Sequence, residues 1–193
     1  MSSDPAKKRA TYEDVLRAPP HKVAEIVDGE LILSPRPALP HATATTALIG
    51  EIGPPFTRGR GGPGGWIILF EPELHLGPDI VVPDLAGWRR TTVGGFSDQA
   101  YVTIRPDWVC EALSPSTERL DRSRKLAIYG RAGTANAWLI NPILRTLEVV
   151  RLSTQTPNQW LTLAVFEGDA QVRAEPFQDF ELDLGVLWQN PPR

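Results

Sequence analysis

Two acidic residues that stand in or beside apolar runs are the strongest constraint on how this chain can fold. Asp84 lies between the apolar runs 80–82 and 85–88, and Glu111 lies within the run 108–113. Both acids are therefore predicted on or next to buried strands. Burying one ionised carboxylate without a partner is costly, and burying two close together costs more unless a cation neutralises them. A hard divalent metal bound by carboxylate oxygens is the simplest such cation.

A lysine on a predicted helix supplies a third charged group for the same place. Lys125 follows Glu111 by fourteen residues. Asp121, Lys125 and Tyr129 recur at intervals of four, so they share one helix face. A strand ending near Glu111, a short turn at 114–116 and then this helix would return Lys125 to the strand carboxylates. An aspartate, a glutamate and a lysine form a set suited to metal-assisted phosphodiester hydrolysis. Tyr129 is predicted to pack rather than to take part in chemistry.

Length and composition favour one ordinary globular domain. The chain has 193 residues, and we predict a flexible leader over 1–10 and a single domain over 11–190. One cysteine excludes an internal disulfide and a zinc site built from cysteines, and Cys110 is predicted to be a buried, unreactive thiol. The net charge of −3 weakens nucleic-acid binding as a default, although the positive charge is clustered, notably over 119–125.

The sequence carries no membrane or export signal. No apolar run approaches the length of a transmembrane helix, and the first nine residues lack the apolar core of a secretory signal. We therefore expect a cytoplasmic protein with no membrane partner.

The N-terminal half reads as a helix, a hairpin and a second helix. Thr11 is a predicted N-cap, and prolines at 19–20 stop the first helix. Asp28-Gly29 between two apolar runs indicates a β-hairpin, and 40–52 is a predicted helix. A flexible basic loop is predicted over 57–65.

The rest of the chain alternates strands with one helix. A helix is predicted to begin at Ser116 or Thr117 and to run to about Arg131, with Gly133 as its stop. This predicts one α/β domain with a central mixed sheet, in which Asp84 and Glu111 lie on adjacent strands. The predicted strands are 66–70, 73–76, 80–88, 108–113, 135–140, 147–152 and 160–166.

The order of these residues resembles the PD-(D/E)XK, or restriction-endonuclease-like, superfamily. Glu25, then Pro83-Asp84, then Glu111 with a strand, a turn and a helix after it, carry the resemblance. More closely, the chain is similar to a bacterial family of small candidate restriction endonucleases formerly catalogued as a domain of unknown function. The resemblance covers roughly 11–185, and its matching stretches are 25–31, His41, 82–85, 110–117, 121–125, Tyr129, 132–133 and 138–142.

Two positions depart from the superfamily pattern. Its lysine usually lies two residues after the second acid, where this chain has Leu113. In the resembling family a lysine on the following helix takes over, and Lys125 occupies that place. Asn141 stands before Pro142, where an acid is common, but this position lies beyond the predicted site.

The resemblance implies a fold and a set of roles. The fold is a restriction-endonuclease-like core, a central mixed β-sheet flanked by helices, with an N-terminal helix and a β-hairpin. Asp84 and Glu111 would bind Mg²⁺, for which Mn²⁺ could substitute, with the Ala112 carbonyl as a third ligand. Lys125 would position or help deprotonate the attacking water and stabilise the charge that develops on the phosphate. Glu25 would orient a metal-bound water or support a second ion.

Several alternatives stay open at this stage. The leading hypothesis is a Mg²⁺-dependent endonuclease acting on DNA, and the second is a catalytically inactive scaffold of the same fold that binds nucleic acid or protein. Glu25 could be only a cross-strand partner, Asp28 is read as a turn residue, and His41 could cap a helix, contact phosphate or face solvent. The sequence leaves open DNA or RNA, the cleavage preference, the biological role, and whether two copies pair as a homodimer.

Overall fold

The computed structural model describes residues 9–96 and 98–189. The predicted leader therefore lies outside the described residues except for Arg9 and Ala10. Helix α1, Tyr12–Leu16, begins after Thr11 as predicted. The Asp14 carboxylate accepts hydrogen bonds from the backbone N and Oγ1 of Thr11, at 2.8 and 2.9 Å, and the Asp14 amide donates to the Thr11 carbonyl at 2.9 Å, which fixes the helix start.

The predicted hairpin is present. Strand β1, Lys22–Val27, pairs antiparallel with β2, Glu30–Pro35. Asp28 and Gly29 between them have φ values of 53° and 83°. Both are positive, as a type I′ turn requires, so the Asp-Gly signal is confirmed.

The second helix ends in a wider turn than the sequence predicts. Helix α2, Leu39–Ile52, continues into a π-helical turn, Gly53–Thr57. The loop predicted to be flexible over 57–65 folds back onto this turn, because the amides of Arg60 and Gly64 donate to the carbonyls of Pro54 and Pro55 at 2.9 and 2.8 Å.

The central sheet is mixed, as predicted. The strands after β2 are β3 Trp66–Phe70, β4 Leu74–Leu76, β5 Asp79–Val81, β6 Leu85–Arg89, β7 Trp108–Ala112, β8 Asn136–Asn141, β9 Thr146–Leu152, β10 Trp160–Glu167, β11 Gln171–Val172 and β12 Leu182–Asp183. Six of them lie in the order β10-β9-β8-β7-β6-β3, where β7 and β8 are parallel and the other neighbours are antiparallel. A second, antiparallel sheet has the order β2-β1-β5-β4, and β11 and β12 form a short antiparallel pair.

The single strand predicted over 80–88 is wrong, because the chain forms two strands there. β5 belongs to the smaller sheet and β6 to the central one, with Val82, Pro83 and Asp84 between them. Pro83 has no N–H to donate to a ladder, so a break at this point costs the strand little. The crossing between sheets places Asp84 at the start of β6, beside the end of β7.

The helix after β7 is also less regular than predicted. It contains a π-helical turn, Leu120–Lys125, followed by α3, Leu126–Ala132, and Gly133 ends it with a φ of 82°. Gly133 as the stop is confirmed. Every helix within the described residues is too short or too polar to cross a membrane.

Alternating side chains cover both faces of the central sheet. One face packs Trp108 and Trp138 against Phe177, with ring centroids 4.9 and 5.4 Å from that of Phe177, and also carries α2. The other face packs Val109 and Leu139 against α3 and the smaller sheet. Residues of β7 alternate between these faces, so Glu111, two positions after Val109, faces α3 and the smaller sheet.

Charged side chains dock the hairpin against the second half of the chain. Arg124 donates to the Val27 carbonyl at 2.6 Å, to Asp28 at 3.1 Å and to Glu30 at 3.0 Å. Arg131 donates to Asp28 at 2.8 Å and to Asp79 at 3.1 Å, and we call this set the hairpin clasp. Burial alone would raise the pKa of Asp28, but hydrogen bonds from the two arginines outweigh it and hold the pKa below its ordinary value.

Replacing Arg124 with alanine should loosen the hairpin. The clasp is partly exposed, so losing its charged hydrogen bonds should cost about 1–2 kcal/mol locally and speed amide exchange roughly tenfold. Hydrogen–deuterium exchange of peptides that cover 22–35 measures this. Arg122→Ala is the matched control, because Arg122 binds Glu118 and Glu148 but not the hairpin. Equal exchange in the two variants would show that Arg124 does not hold the hairpin.

Candidate active site

A buried ammonium group lies at the centre of the predicted site. Lys125 Nζ is 3.0 and 3.1 Å from the two carboxylate oxygens of Glu111 and 3.0 Å from Glu25 Oε1. It also donates to the Val82 carbonyl at 3.1 Å and lies 3.7 Å from Asp121 Oδ1. The Lys125 residue is only 3% exposed. The lysine therefore faces the carboxylates and not solvent.

These groups come from three parts of the fold. Glu25 extends from β1 in the smaller sheet, Glu111 from β7 in the central sheet, and Lys125 from the last position of the π-helical turn. Glu25 Oε1 also accepts a hydrogen bond from the Val82 amide at 2.8 Å. Glu25 is thus more than a cross-strand partner, since it joins the hairpin to the site.

Asp84 is held by a histidine and a backbone amide. His41, in the first turn of α2, donates from Nε2 to Asp84 Oδ1 at 2.5 Å. The Ala112 amide donates to Asp84 Oδ2 at 2.7 Å. Because both carboxylate oxygens have a partner, the orientation of Asp84 is fixed from two sides.

Tyr129 has a role beyond the packing that the sequence predicts. It is fully buried, as expected, but its hydroxyl also donates to Glu111 Oε1 at 2.5 Å. Spacing on the helix face suggests a contact with Lys125, and the structure instead shows the hydrogen bond to Glu111. Tyr129 thereby orients the same carboxylate that Lys125 contacts.

The site carries more negative charge than one lysine neutralises. Burial raises the pKa of Glu111 well above its ordinary value, with Asp121 and Asp84 adding to the rise and Lys125 and Tyr129 opposing it. Burial also raises the pKa of Asp121 to about 6, although Lys125 opposes this. Both carboxyl groups therefore resist ionisation unless more positive charge is present.

The lysine itself remains a cation. Burial alone would lower the pKa of Lys125, but the carboxylates of Glu111 and Glu25 outweigh it, and the pKa stands well above its ordinary value. A protonated ammonium cannot accept a proton. Of the roles that the resemblance implies for Lys125, its ion pairs with Glu111 and Glu25 favour charge stabilisation and positioning over deprotonation of water.

The charged residues line one cleft of about 290 Å³. Its walls include Arg36, Glu71 and the turn after β7, at 114–117. Residues of the basic loop over 57–65 do not line it. The loop therefore gives no support to nucleic-acid contact at this cleft.

The donor set suits a hard divalent cation. Asp84 and Glu111 offer carboxylate oxygens and Ala112 offers a carbonyl, and Mg²⁺ commonly uses only one or two protein carboxylates while it keeps several waters. Burial and the neighbouring carboxylates raise the pKa of Glu111, so a further positive charge beside it would favour its ionised form. Among the described residues, no group of three or more histidine, cysteine, aspartate or glutamate side chains is arranged to hold a metal.

Every side chain that the sequence assigned to the site meets in this cleft. Glu25, Asp84, Glu111 and Lys125 lie together with Ala112 at the wall, and their catalytic and metal-binding roles remain predictions. His41 was left open by the sequence and belongs to the cleft. Its one sequence signal was its position within the stretches that resemble the family.

The cysteine beside Glu111 behaves as predicted. Cys110 is fully buried, and burial raises the pKa of its thiol, with Asp84 and Glu111 adding to the effect. Cys110 packs on the face of the sheet opposite Glu111. A protonated, buried thiol is a poor nucleophile.

Comparisons with known proteins identify a matching family and a solved structure of similar fold. The family described as "Uma2: Putative restriction endonuclease" matches residues 10–185. No curated protein matches the chain. A crystal structure of a putative nuclease belonging to DUF820 from Anabaena variabilis ATCC 29413 matches with a TM-score of 0.73 at 23% identity, covering 93% of this chain and 97% of that one. The two chains therefore share a fold.

Replacing Asp121 with asparagine should remove a pH-dependent cost. The pKa of Asp121 rises on folding, so its contribution to stability is greatest below its ordinary value of 3.8 and is lost as the pH rises to about 6. In metal-free buffer, the free energy of unfolding of wild type should fall by about 1–3 kcal/mol relative to that of Asp121→Asn as the pH rises through this window. Urea unfolding at pH values on both sides of the window measures this. A stability difference that stays constant with pH would contradict the assignment.

Proposed function

The chain belongs to the Uma2 family of putative restriction endonucleases, and on this premise we propose that it hydrolyses phosphodiester bonds in nucleic acid, DNA in particular, with Mg²⁺. One observation carries the proposal. The Lys125 ammonium is buried between Glu25 and Glu111 in a cleft that also contains Asp84. A cation and hard oxygen donors in one cleft are what phosphoryl chemistry needs, because the reaction develops negative charge on the phosphate.

Lys125 stabilises that developing charge. Its ammonium is kept protonated by its carboxylate neighbours and is fixed in place by the Val82 carbonyl and by Glu25. A fixed donor in a buried site stabilises a transition state without reorganising, so it contributes more than a solvent-exposed lysine would.

Asp84, Glu111 and the Ala112 carbonyl would hold the metal. When bound, Mg²⁺ would polarise the phosphate and lower the pKa of a coordinated water. Glu25 and Asp121 remain as partners of Lys125 while Glu111 serves as a ligand.

Two further residues orient these carboxylates. His41 holds one oxygen of Asp84, and Tyr129 holds one oxygen of Glu111, each at 2.5 Å. Hydrogen bonds of this kind fix the direction of a ligand's lone pairs, and their loss typically weakens metal affinity or activity about 10- to 100-fold. The homodimer and the cytoplasmic location stay predictions from the sequence.

Asp84→Asn should abolish metal-dependent cleavage. The amide keeps the shape of the side chain but loses the charge that attracts the cation, so cleavage should fall at least ~100-fold and Mg²⁺ binding by calorimetry should weaken strongly. The assay uses plasmid DNA, single-stranded DNA and RNA with Mg²⁺ or EDTA. Asp169→Asn is the matched control, because Asp169 is an exposed partner of Arg145 outside the cleft. Unchanged Mg²⁺ binding by Asp84→Asn would show that Asp84 is not a ligand of the metal.

Lys125→Met should separate catalysis from metal binding. Removing one such electrostatic donor typically costs ~10²–10³ in rate, while Mg²⁺ binding should persist because the carboxylates remain. Loss of a buried cation also leaves its carboxylate partners uncompensated, so the Glu25→Gln/Lys125→Met double variant, which removes the charge pair together, guards against unfolding. A folded double variant that cleaves at the wild-type rate would defeat the role of Lys125. Wild-type protein that binds Mg²⁺ and nucleic acid without cleaving either would favour the inactive scaffold.

A further inference from the structure

The charged groups of the proposed site are buried. Glu25 and Lys125 are each 3% exposed, Glu111 is 2% exposed and Asp84 is 8% exposed. Phosphates of a duplex lie on the outside of a stiff helix, and the cleft of about 290 Å³ is at the small end of ligand pockets. Bringing a phosphate of a duplex into such a cleft requires the duplex to be deformed, whereas a flexible single strand reaches it without that cost.

The cleft is poorly charged for clamping a duplex. Its wall carries two cationic side chains, Arg36 and Lys125, and Arg36 lies 3.6 Å from Glu71. Five acidic residues share the wall, namely Glu25, Glu71, Asp84, Glu111 and Asp121. Affinity for duplex DNA comes mainly from neutralising its closely spaced phosphates. Binding at this cleft needs a different source of affinity, and base stacking supplies it for unpaired strands.

An exposed aromatic side chain stands next in sequence to a residue of the cleft wall. Phe70 ends β3, an edge strand of the central sheet, and is 50% exposed. With Pro72, Glu73 and Tyr101 it lines a second cavity of about 260 Å³. Glu71, between Phe70 and Pro72, lines the cleft itself.

The backbone ties Phe70 to the site. The Glu71 amide donates to the Asp84 carbonyl at 2.9 Å, and Phe70 pairs in register with Leu85, the residue after Asp84. The Phe70 side chain therefore extends from backbone that is hydrogen-bonded to the segment containing Asp84, a predicted metal ligand. A strand with one phosphate in the cleft would carry its neighbouring base toward this cavity.

We infer that the substrate is an unpaired nucleic-acid strand, with its scissile phosphate in the cleft and an adjacent base stacked on Phe70. The inference rests on the proposed phosphodiester hydrolysis and specifies its substrate. Single-stranded DNA and RNA share the required chemistry, an accessible phosphate and an exposed base face.

The test is a binding comparison that does not depend on cleavage. Short fluorescein-labelled probes of one sequence are presented as single-stranded DNA, single-stranded RNA, intact duplex and duplex with a central unpaired bubble. Fluorescence anisotropy is measured with Ca²⁺ in place of Mg²⁺, and gels confirm that the probes stay intact. One or both single strands and the bubble should bind about tenfold or more tightly than the intact duplex.

Variants at the two edges of the same sheet locate the contact. Phe70→Ala should weaken binding of the preferred single strand about tenfold, whereas Phe70→Tyr, which keeps a ring, should retain it. Val165→Ala is the matched control, because Val165 is 55% exposed on β10, at the opposite edge of the sheet. Thermal unfolding confirms that each variant is folded.

The outcomes separate the inferred single-strand substrate from the proposed phosphodiester hydrolysis. Intact duplex bound as tightly as single strands, or Phe70→Ala binding like wild type, would overturn the inference. Cleavage of intact duplex at the single-strand rate would overturn it as well and leave the hydrolase in place. Single-strand preference without any cleavage in Mg²⁺ would refute the hydrolysis and leave the binding mode standing.

Discussion

The contact of one ammonium group with two buried carboxylates is the interaction on which the rest of the structure depends. Lys125 joins Glu25 of the smaller sheet to Glu111 of the central sheet, and its charge opposes the rise that burial causes in the pKa of Glu111. Removing one partner from a buried ion pair typically costs about 3–5 kcal/mol, because the remaining charge is stranded. The two sheets and the helix therefore depend on the same atoms that give the cleft its chemistry.

An imbalance of charge is built into this arrangement. Asp84 and Asp121 add to the negative charge around Glu111, and burial prevents water from screening them. Perturbed carboxyl groups with a specific cationic partner are common at functional sites. The hydrogen bonds from His41 and Tyr129 hold the carboxylates in place despite their mutual repulsion. The protein thus keeps a buried cluster of unbalanced charge where a purely structural core would have apolar side chains.

Local sequence signals predicted much of this fold, and long-range pairing determined the rest. The Asp-Gly turn at 28–29 and the stop at Gly133 follow from backbone preferences, so the sequence alone was sufficient. The break at Pro83 was missed because an apolar run does not reveal that its two halves join different sheets. The π-helical turn over 120–125 has no local signal that we recognise. His41 could not be assigned because its orientation depends on how α2 packs against Asp84.

Because the cation lies on the helix, the strand that carries Glu111 is followed by an apolar residue that packs in the core. Leu113, at the position where the superfamily's strand lysine usually lies, is 2% exposed and packs in the core with Leu126 and Ile128. The strand can therefore be selected for packing while the helix is selected for charge placement. Because Arg124, the neighbour of Lys125, ties that helix to the hairpin, and Glu25 extends from the same hairpin, substitutions at the hairpin turn can shift Lys125 and Glu25 relative to Glu111 of the central sheet. Changes in the hairpin alone are therefore enough to alter the contact between Lys125 and Glu111 while the strand that carries Glu111 stays the same.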